Sequence, residues 1–209
     1  MCTANKNIGS NSIPSQKYQN KDLLLLSPAI SYSDDSDADS STGEIDFFPN
    51  NNDNPLVIKQ KEGDRIVSAF DVARYILKKE GVCSTMKLHK LLYYCQAWNL
   101  VWEDEPLFYQ PIEAWANGPV VRSIFNFHKG MYIIKYSDFT LGNESLLSSK
   151  QKANIDEVLS FYGNKSAQWL IDQTHSESPW KDARVGMGAN DRSSNVIPLE
   201  AMRDFYATL

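Results

Sequence analysis

The sequence predicts a mainly α protein: one compact multi-helix domain over residues 65–209, with at most a short β element, preceded by a disordered acidic tail over residues 1–64. Three observations support this prediction. In the later part, apolar residues recur at intervals of three and four, which is the helical period. Ser residues precede several of these runs and Gly residues follow them, as helix caps do. All five Trp residues lie after residue 64, where a core can form.

The first 64 residues are rich in Asn, Ser and Asp. They hold ten acidic and five basic side chains, and so account for the whole net charge of −5. Such a segment buries too little apolar surface to offset the entropy of ordering, so we expect it to be disordered. Two short apolar stretches, Leu23–Leu26 and Ile45–Phe48, interrupt it. They are either chance hydrophobic residues of a solvated tail or docking peptides.

Charge and composition narrow the class of protein. After residue 64 the charges balance, and a nucleic-acid-binding protein needs a basic surplus, so we expect no nucleic-acid partner. Three Cys at unrelated spacings fit reduced thiols better than a disulfide framework. The sequence has no signal peptide and no apolar run long enough to span a bilayer, so we expect a soluble, cytoplasmic protein without a membrane partner.

Two helices open the domain. Ser68 and Asp71 have the spacing of a capping box, and the apolar run that follows ends at Gly81. A second helix follows Ser84 or Thr85 and carries a long apolar face with one polar interruption, formed by Leu88, Leu91, Leu92, Cys95, Trp98, Asn99 and Trp102.

The middle of the chain is less regular. Residues 107–115 contain Pro111 among aromatic residues, which favours a short strand or extended segment. Asn117, Gly118 and Pro119 predict a turn that feeds a third helix, with Pro at its first position and its end at Gly130. Residues 131–141 have β-like composition but weak alternation, so strand and loop are both open.

Shorter helices complete the domain. Ser149 is the expected cap of a helix that ends before Gly163, and Ser166 caps a shorter helix that runs to about His175. Another helical turn starts at Ser178-Pro179. Residues 184–196 form a loop, and a last helix follows Pro198 with Leu199, Met202 and Phe205 on one side.

Three patches of sequence, taken in order and at their spacing, carry a family resemblance. They are Lys87–Tyr94 (KLHKLLYY), Glu113–Val120 (EAWANGPV), and Thr174-His175 followed by Ser178–Trp180 (SPW). Together they resemble the SocA-like Panacea antitoxin domain, a family of bacterial and phage toxin–antitoxin loci. The resemblance spans about residues 68–206. It implies a mainly helical domain that neutralises a cognate toxin protein by contact, or delivers the toxin to a Clp-type protease as an adaptor.

Ten residues in these patches are candidates for partner binding. They are Lys87, Lys90, Tyr93, Tyr94, Glu113, Trp115, Gly118, Pro119, His175 and Trp180.

The residue types suggest how these positions act. Lys87, Lys90 and Tyr94 differ by three and four and share one helix face, which we expect to be solvated and polar. Tyr93 and Tyr94 suit an interface if their rings are exposed. Glu113 could accept hydrogen bonds from the N–H groups of the helix expected after Pro119, and the alternative to a binding role for this turn is an internal cap.

The other candidates sit at junctions. Trp115 and Trp180 each lie where a Pro-containing turn meets a helix, so we expect both rings to be largely buried. His175 lies at a helix end, where it can bond terminal carbonyls or the following turn.

Two other classes of protein stay open. The three His and three Cys show none of the spacings of a metal site or a catalytic nucleophile. We therefore expect no catalytic residue, no metal and no cofactor, and we expect that the protein is not an enzyme. A helix-turn-helix DNA-binding regulator is the alternative function, with residues 81–84 joining its two helices. Against it, the second helix is too apolar along its length.

Overall fold

The computed structural model describes residues 67–209, and the predicted acidic tail lies outside the described residues. Seven α-helices occur in the described part: α1 Ala69–Glu80, α2 Thr85–Glu103, α3 Arg122–His128, α4 Ser149–Tyr162, α5 Ala167–Ser176, α6 Ser178–Ala183 and α7 Leu199–Tyr206. Four three-residue strands accompany them: β1 Val82–Ser84, β2 Glu113–Trp115, β3 Gly118–Val120 and β4 Ile133–Lys135. A 3-10 turn covers Glu144–Leu146. The predicted mainly α fold is confirmed.

The capping box predicted for α1 is present. Asp71 N–H donates to Ser68 Oγ, and the Asp71 carboxylate accepts from Ser68 N–H at 2.8 Å. Asp71 also accepts from Asn143 N–H, so the loop before the 3-10 turn is fastened to the start of α1. At the other end, Gly81 with φ 74° ends the helix.

Helix α2 is the centre of the fold. Every residue from Leu88 to Leu100 is buried, and α1, α4, α5, α7 and β3 pack around the helix. A helix enclosed on all sides cannot enter a DNA groove, so the helix-turn-helix hypothesis is wrong in its geometry. The predicted solvated face of this helix is also wrong, because other elements cover it.

Two antiparallel ribbons complete the architecture. In the first, β1 pairs with β4 with Cys83 opposite Ile134. In the second, β2 pairs with β3 with Trp115 opposite Gly118, and Ala114 N–H donates to Asn195 O in the loop before α7. Residues 82–84 were predicted only as a link, and they form β1 because β4 pairs with them.

Helix α3 begins later than predicted. Pro119 lies inside β3 rather than at a helix start, and Val121 is the N-cap residue of α3 without a side-chain cap bond. For α4, the cap is Ser148 rather than Ser149, with Gln151 completing a capping box. The cap at Ser166 is confirmed, and of the two possible starts of α2, Ser84 is the cap. Each Ser side chain accepts from the backbone N–H three residues on.

Candidate functional site

The fold brings the three motif patches together around the β2–β3 hairpin. Lys90 of α2 reaches the hairpin strand β3, and the junction between α5 and α6 closes over both. We call this group the hairpin cluster. Its members are Lys90, Glu113, Trp115, Gly118, Pro119, Thr174, His175 and Trp180.

Gly118 is the closest point of approach in the hairpin cluster. Its φ of +96° lies in the region that favours glycine, at the last position of the turn that joins β2 to β3. A Cβ at this position would lie 2.5 Å from Lys90 Cε and 3.0 Å from Thr174 Oγ1. Hairpin, α2 and α5 therefore meet at a position where only glycine fits without a shift.

Lys90 is fully buried, against the prediction of a solvated face. Its Nζ donates to Pro119 O at 3.2 Å. Burial disfavours the charged ammonium and lowers the pKa of Lys90 to about 7. Lys90 therefore holds strand β3 from the interior of the fold and does not offer a charge to a partner.

His175 and Trp180 form the outer wall of the hairpin cluster. Their rings stack with centroids 4.0 Å apart, and Trp180 Nε1–H donates to Trp115 O at 3.0 Å. Burial, together with the nearby charge of Lys90, lowers the pKa of His175 to about 4, so the imidazole is neutral. His175 Nε2 is buried without a hydrogen-bond partner among the described residues.

Glu113 pairs with the first residue of α3 rather than with free helix N–H groups. Its carboxylate accepts from Arg122 Nε at 2.7 Å and Arg122 Nη2 at 2.6 Å, a bidentate pair, and also from Trp115 Nε1–H at 2.7 Å. The Arg122 guanidinium lies 5.3 Å from the Trp115 ring centroid, and Phe125 packs edge-on against that ring.

Trp115 and Trp180 are only half-buried, so the expectation that both rings are largely buried is wrong. Each indole N–H is bonded to a group of the cluster while part of each ring faces outward. With exposed Asn117 at the tip of the turn and exposed Arg122 beside it, they give the hairpin cluster an outer face.

A second buried group, absent from the sequence prediction apart from Tyr94, lies beside the hairpin cluster. The Glu177 carboxylate accepts from Tyr206 Oη at 2.5 Å, Tyr94 Oη at 3.3 Å and Gln173 Nε2 at 3.4 Å. Burial raises the pKa of Glu177, while the hydrogen bonds from Tyr206, Gln173 and Tyr94 lower it. The net result is a pKa of about 7. The only signal in the sequence was a Glu placed next to the Ser-Pro-Trp turn.

The tyrosines of α2 belong to this interior. Tyr93 and Tyr94 are both fully buried, and Tyr94 stacks on Tyr162 with centroids 3.9 Å apart. They would suit an interface only with exposed rings, and that condition is not met: both rings contact Tyr206 of α7, and Tyr94 also contacts Tyr162 of α4.

Lys87 is a structural tie as well. Its Nζ lies 3.0 Å from Glu80 Oε2 and also donates to Gly163 O, joining the start of α2 to the ends of α1 and α4. Its side chain is 17% exposed, and its ammonium group is bonded to groups of the same domain. Of the ten candidates, Lys87, Tyr93 and Tyr94 lie outside the hairpin cluster.

A histidine pair supports the hairpin from the α3 side. His89 Nε2 and His128 Nε2 are 2.8 Å apart, and Val121 N–H donates to His89 Nδ1 at 3.3 Å. This acceptor role places the His89 proton on Nε2, from which it is donated to His128. Burial lowers the pKa of both histidines, which keeps the pair neutral.

The His, Cys and carboxylate side chains of the described residues do not cluster as metal ligands do. Residues 67–209 contain no group of three or more His, Cys, Asp or Glu that could hold a metal ion. Burial raises the pKa of Cys83 to about 12 and that of Cys95 higher still, so both thiols are protonated at neutral pH. Among the same residues, no helix has the length and apolar character needed to cross a bilayer.

The fold is thus a helical domain in which a mostly buried hairpin, exposed at Asn117, is held by the polar side chains around it. Residues 88–181 match the family model of the antitoxin SocA-like Panacea domain. The resemblance carried by the three motif patches is thereby confirmed. This match supports an antitoxin role in general and implies a protein partner such as a toxin. No curated protein matches the chain, and no solved structure does.

Proposed function

We propose that the chain is a binding protein, not an enzyme, and that it neutralises a cognate toxin protein by direct contact through the outer face of the hairpin cluster. The observation that carries this proposal is the convergence of the family's sequence patches on one hairpin with half-buried Trp115 and Trp180. Trp and Arg dominate the binding energy of protein interfaces, and Arg122 completes the set here.

The support beneath this face favours direct binding. Three hydrogen-bonded contacts hold the hairpin. Lys90 Nζ donates to Pro119 O, Arg122 donates to Glu113 of β2, and Arg184 Nη1 donates to Ala114 O at 2.9 Å. A surface held in one conformation loses little entropy when it binds, which raises affinity.

Delivery of the toxin to a Clp-type protease is the second mode that the family resemblance implies. The two modes share the toxin contact and differ in the need for a protease. Growth rescue in a host that lacks the Clp protease separates them: rescue that persists supports direct neutralisation, and rescue that is lost supports delivery.

The test of the surface is growth rescue upon co-expression with the product of the adjacent open reading frame. Asn117→Arg places a long cation at the exposed turn tip, and we expect it to abolish rescue while circular dichroism stays unchanged. Ala153→Arg on α4 adds the same side chain at an exposed position outside the hairpin cluster and should leave rescue intact. Full rescue by Asn117→Arg would overturn the site assignment.

A further inference from the structure

The β1–β4 ribbon exposes apolar side chains that the hairpin cluster does not use. Ile133 is 65% exposed and Val82 is 60% exposed, while Met131 and Tyr132 just before β4 are 45% and 75% exposed. Their neighbours Cys83 and Ile134 point inward and are buried. The ribbon therefore has one face on the core and an outer face on which exposed Val82 and Ile133 lie beside Ser84 and Lys135.

The register shows which edge of the ribbon is open. Val82 lies opposite Lys135 and Ser84 opposite Ile133, and Thr85 N–H donates to Tyr132 O. Backbone bonds alternate along an antiparallel pair, so the N–H and C=O of Ile133 point away from β1. Lys135 points the same way, but its N–H donates to Asp138 Oδ2 and its C=O accepts from Asp138 N–H.

We propose that a second copy of this chain pairs with this edge, β4 against β4, about a two-fold axis at Ile133. The two Ile133 residues would exchange both backbone hydrogen bonds and place their side chains in contact on the exposed face. The two ribbons would become one four-stranded antiparallel sheet, a more stable unit than two separate two-stranded ribbons.

The charges fit this occupant. The two-fold at Ile133 sets each Lys135 opposite Met131 of the second copy, so the lysines do not face each other. An axis one residue further, at Ile134, would set Ile133 against Lys135 and would need the backbone groups that Asp138 already occupies. Sequence and register together therefore select one arrangement.

The size of the contact sets its strength. A contact made by two short ribbons is at the small end of specific interfaces, so the dimer should dissociate in about the micromolar range. It is a surface separate from the hairpin cluster, and its failure would leave the proposed toxin contact untouched.

The experiment is sedimentation velocity of the full chain from about 1 to 200 µM, a range that brackets the expected dissociation constant. We expect a concentration-dependent shift from the 23.7 kDa monomer to twice that mass. Ile133→Glu sets two like charges at the axis, and Ile133→Pro removes the outward N–H while keeping an apolar side chain. Each variant should raise the dissociation constant at least tenfold. Val185→Glu, at a residue 79% exposed outside the ribbon, should have no effect.

A monomer at every concentration would overturn the proposal, and so would a dimer that persists in both Ile133 variants. A monomeric wild type whose toxin complex is lost in Ile133→Glu would assign the ribbon to the toxin instead, and would equally refute pairing between copies. Circular dichroism of each variant confirms that the helices are intact before its mass is interpreted.

Discussion

The hydroxyl of Tyr206 lies 2.5 Å from the Glu177 carboxylate, and this contact ties the last helix to the junction between α5 and α6. Glu177 is buried at the base of the turn that presents Trp180. His175 and Trp180, on either side of Glu177 in the chain, thus flank a carboxyl group whose charged form is disfavoured by burial.

The first prediction concerns Glu177→Gln. The pKa of Glu177 is raised in the folded chain to about 7, so the folded state binds the proton more tightly than the unfolded state. This contribution to stability is complete below the unfolded pKa and is lost as pH rises to about 7. The amide variant lacks the titration, so its free energy of unfolding should gain about 2–3 kcal/mol relative to wild type between pH 5 and pH 8. Urea unfolding at both pH values measures the difference, and a constant difference would contradict it.

The second prediction concerns Lys90→Met. The pKa of Lys90 is lowered to about 7, so above that pH the unfolded state binds more protons and stability rises with pH. Relative to Lys90→Met, wild type should gain about 1 kcal/mol between pH 6.5 and pH 8, since one unit of pKa is worth about 1.4 kcal/mol. Groups common to both proteins cancel in this comparison. Equal pH dependence of the two would mean that Lys90 is not desolvated.

The third prediction tests the close approach at Gly118. Gly118→Ala introduces both strain at positive φ and the contact with Lys90, and should cost about 2–4 kcal/mol. Gly130→Ala is the matched control, because Gly130 has φ +88° with nothing within 4 Å of a built Cβ. It should cost only about 1 kcal/mol. Denaturant midpoints of the two variants compare the costs, and equal losses would show that Lys90 yields freely.

The fourth prediction corrects the role of Lys87. Lys87→Glu would set a second carboxylate beside Glu80 and leave Gly163 O without its donor, so it should lower the free energy of unfolding by about 1–3 kcal/mol. Lys87→Met removes only the charge and should cost less. A Lys87→Glu variant with the stability of wild type would restore Lys87 as a surface residue.

The sequence allowed the helices to be predicted where local signals decide them. Ser68 and Ser166 cap helices as expected, and Ser84 is one of the two residues predicted to precede α2, because capping depends on the residues of one turn. The strands depend on distant partners. Cys83 of β1 pairs with Ile134 of β4, which lies fifty-one residues further along the chain. No local pattern contains that information.

The candidate site was predicted in its members and not in its orientation. The motif residues Lys90, Gly118 and His175 do converge, but the spacing of Lys87, Lys90 and Tyr94 suggested a solvated face. Periodicity identifies which residues share a face and cannot say what covers it. Here α5, α7 and the hairpin cover it, and the polar ends of Lys90 and Tyr94 find partners inside.

Under the proposed function, the chain itself inhibits its toxin. The most direct measurement is toxin activity in vitro, titrated with the purified full chain in the absence of any protease. We expect inhibition that saturates at a fixed molar ratio, that is lost in Asn117→Arg and that is kept in Ala153→Arg. Direct inhibition would be contradicted by a toxin that stays fully active at a saturating concentration of the chain. The same holds for a toxin activity that is lost only after a Clp-type protease and ATP are added.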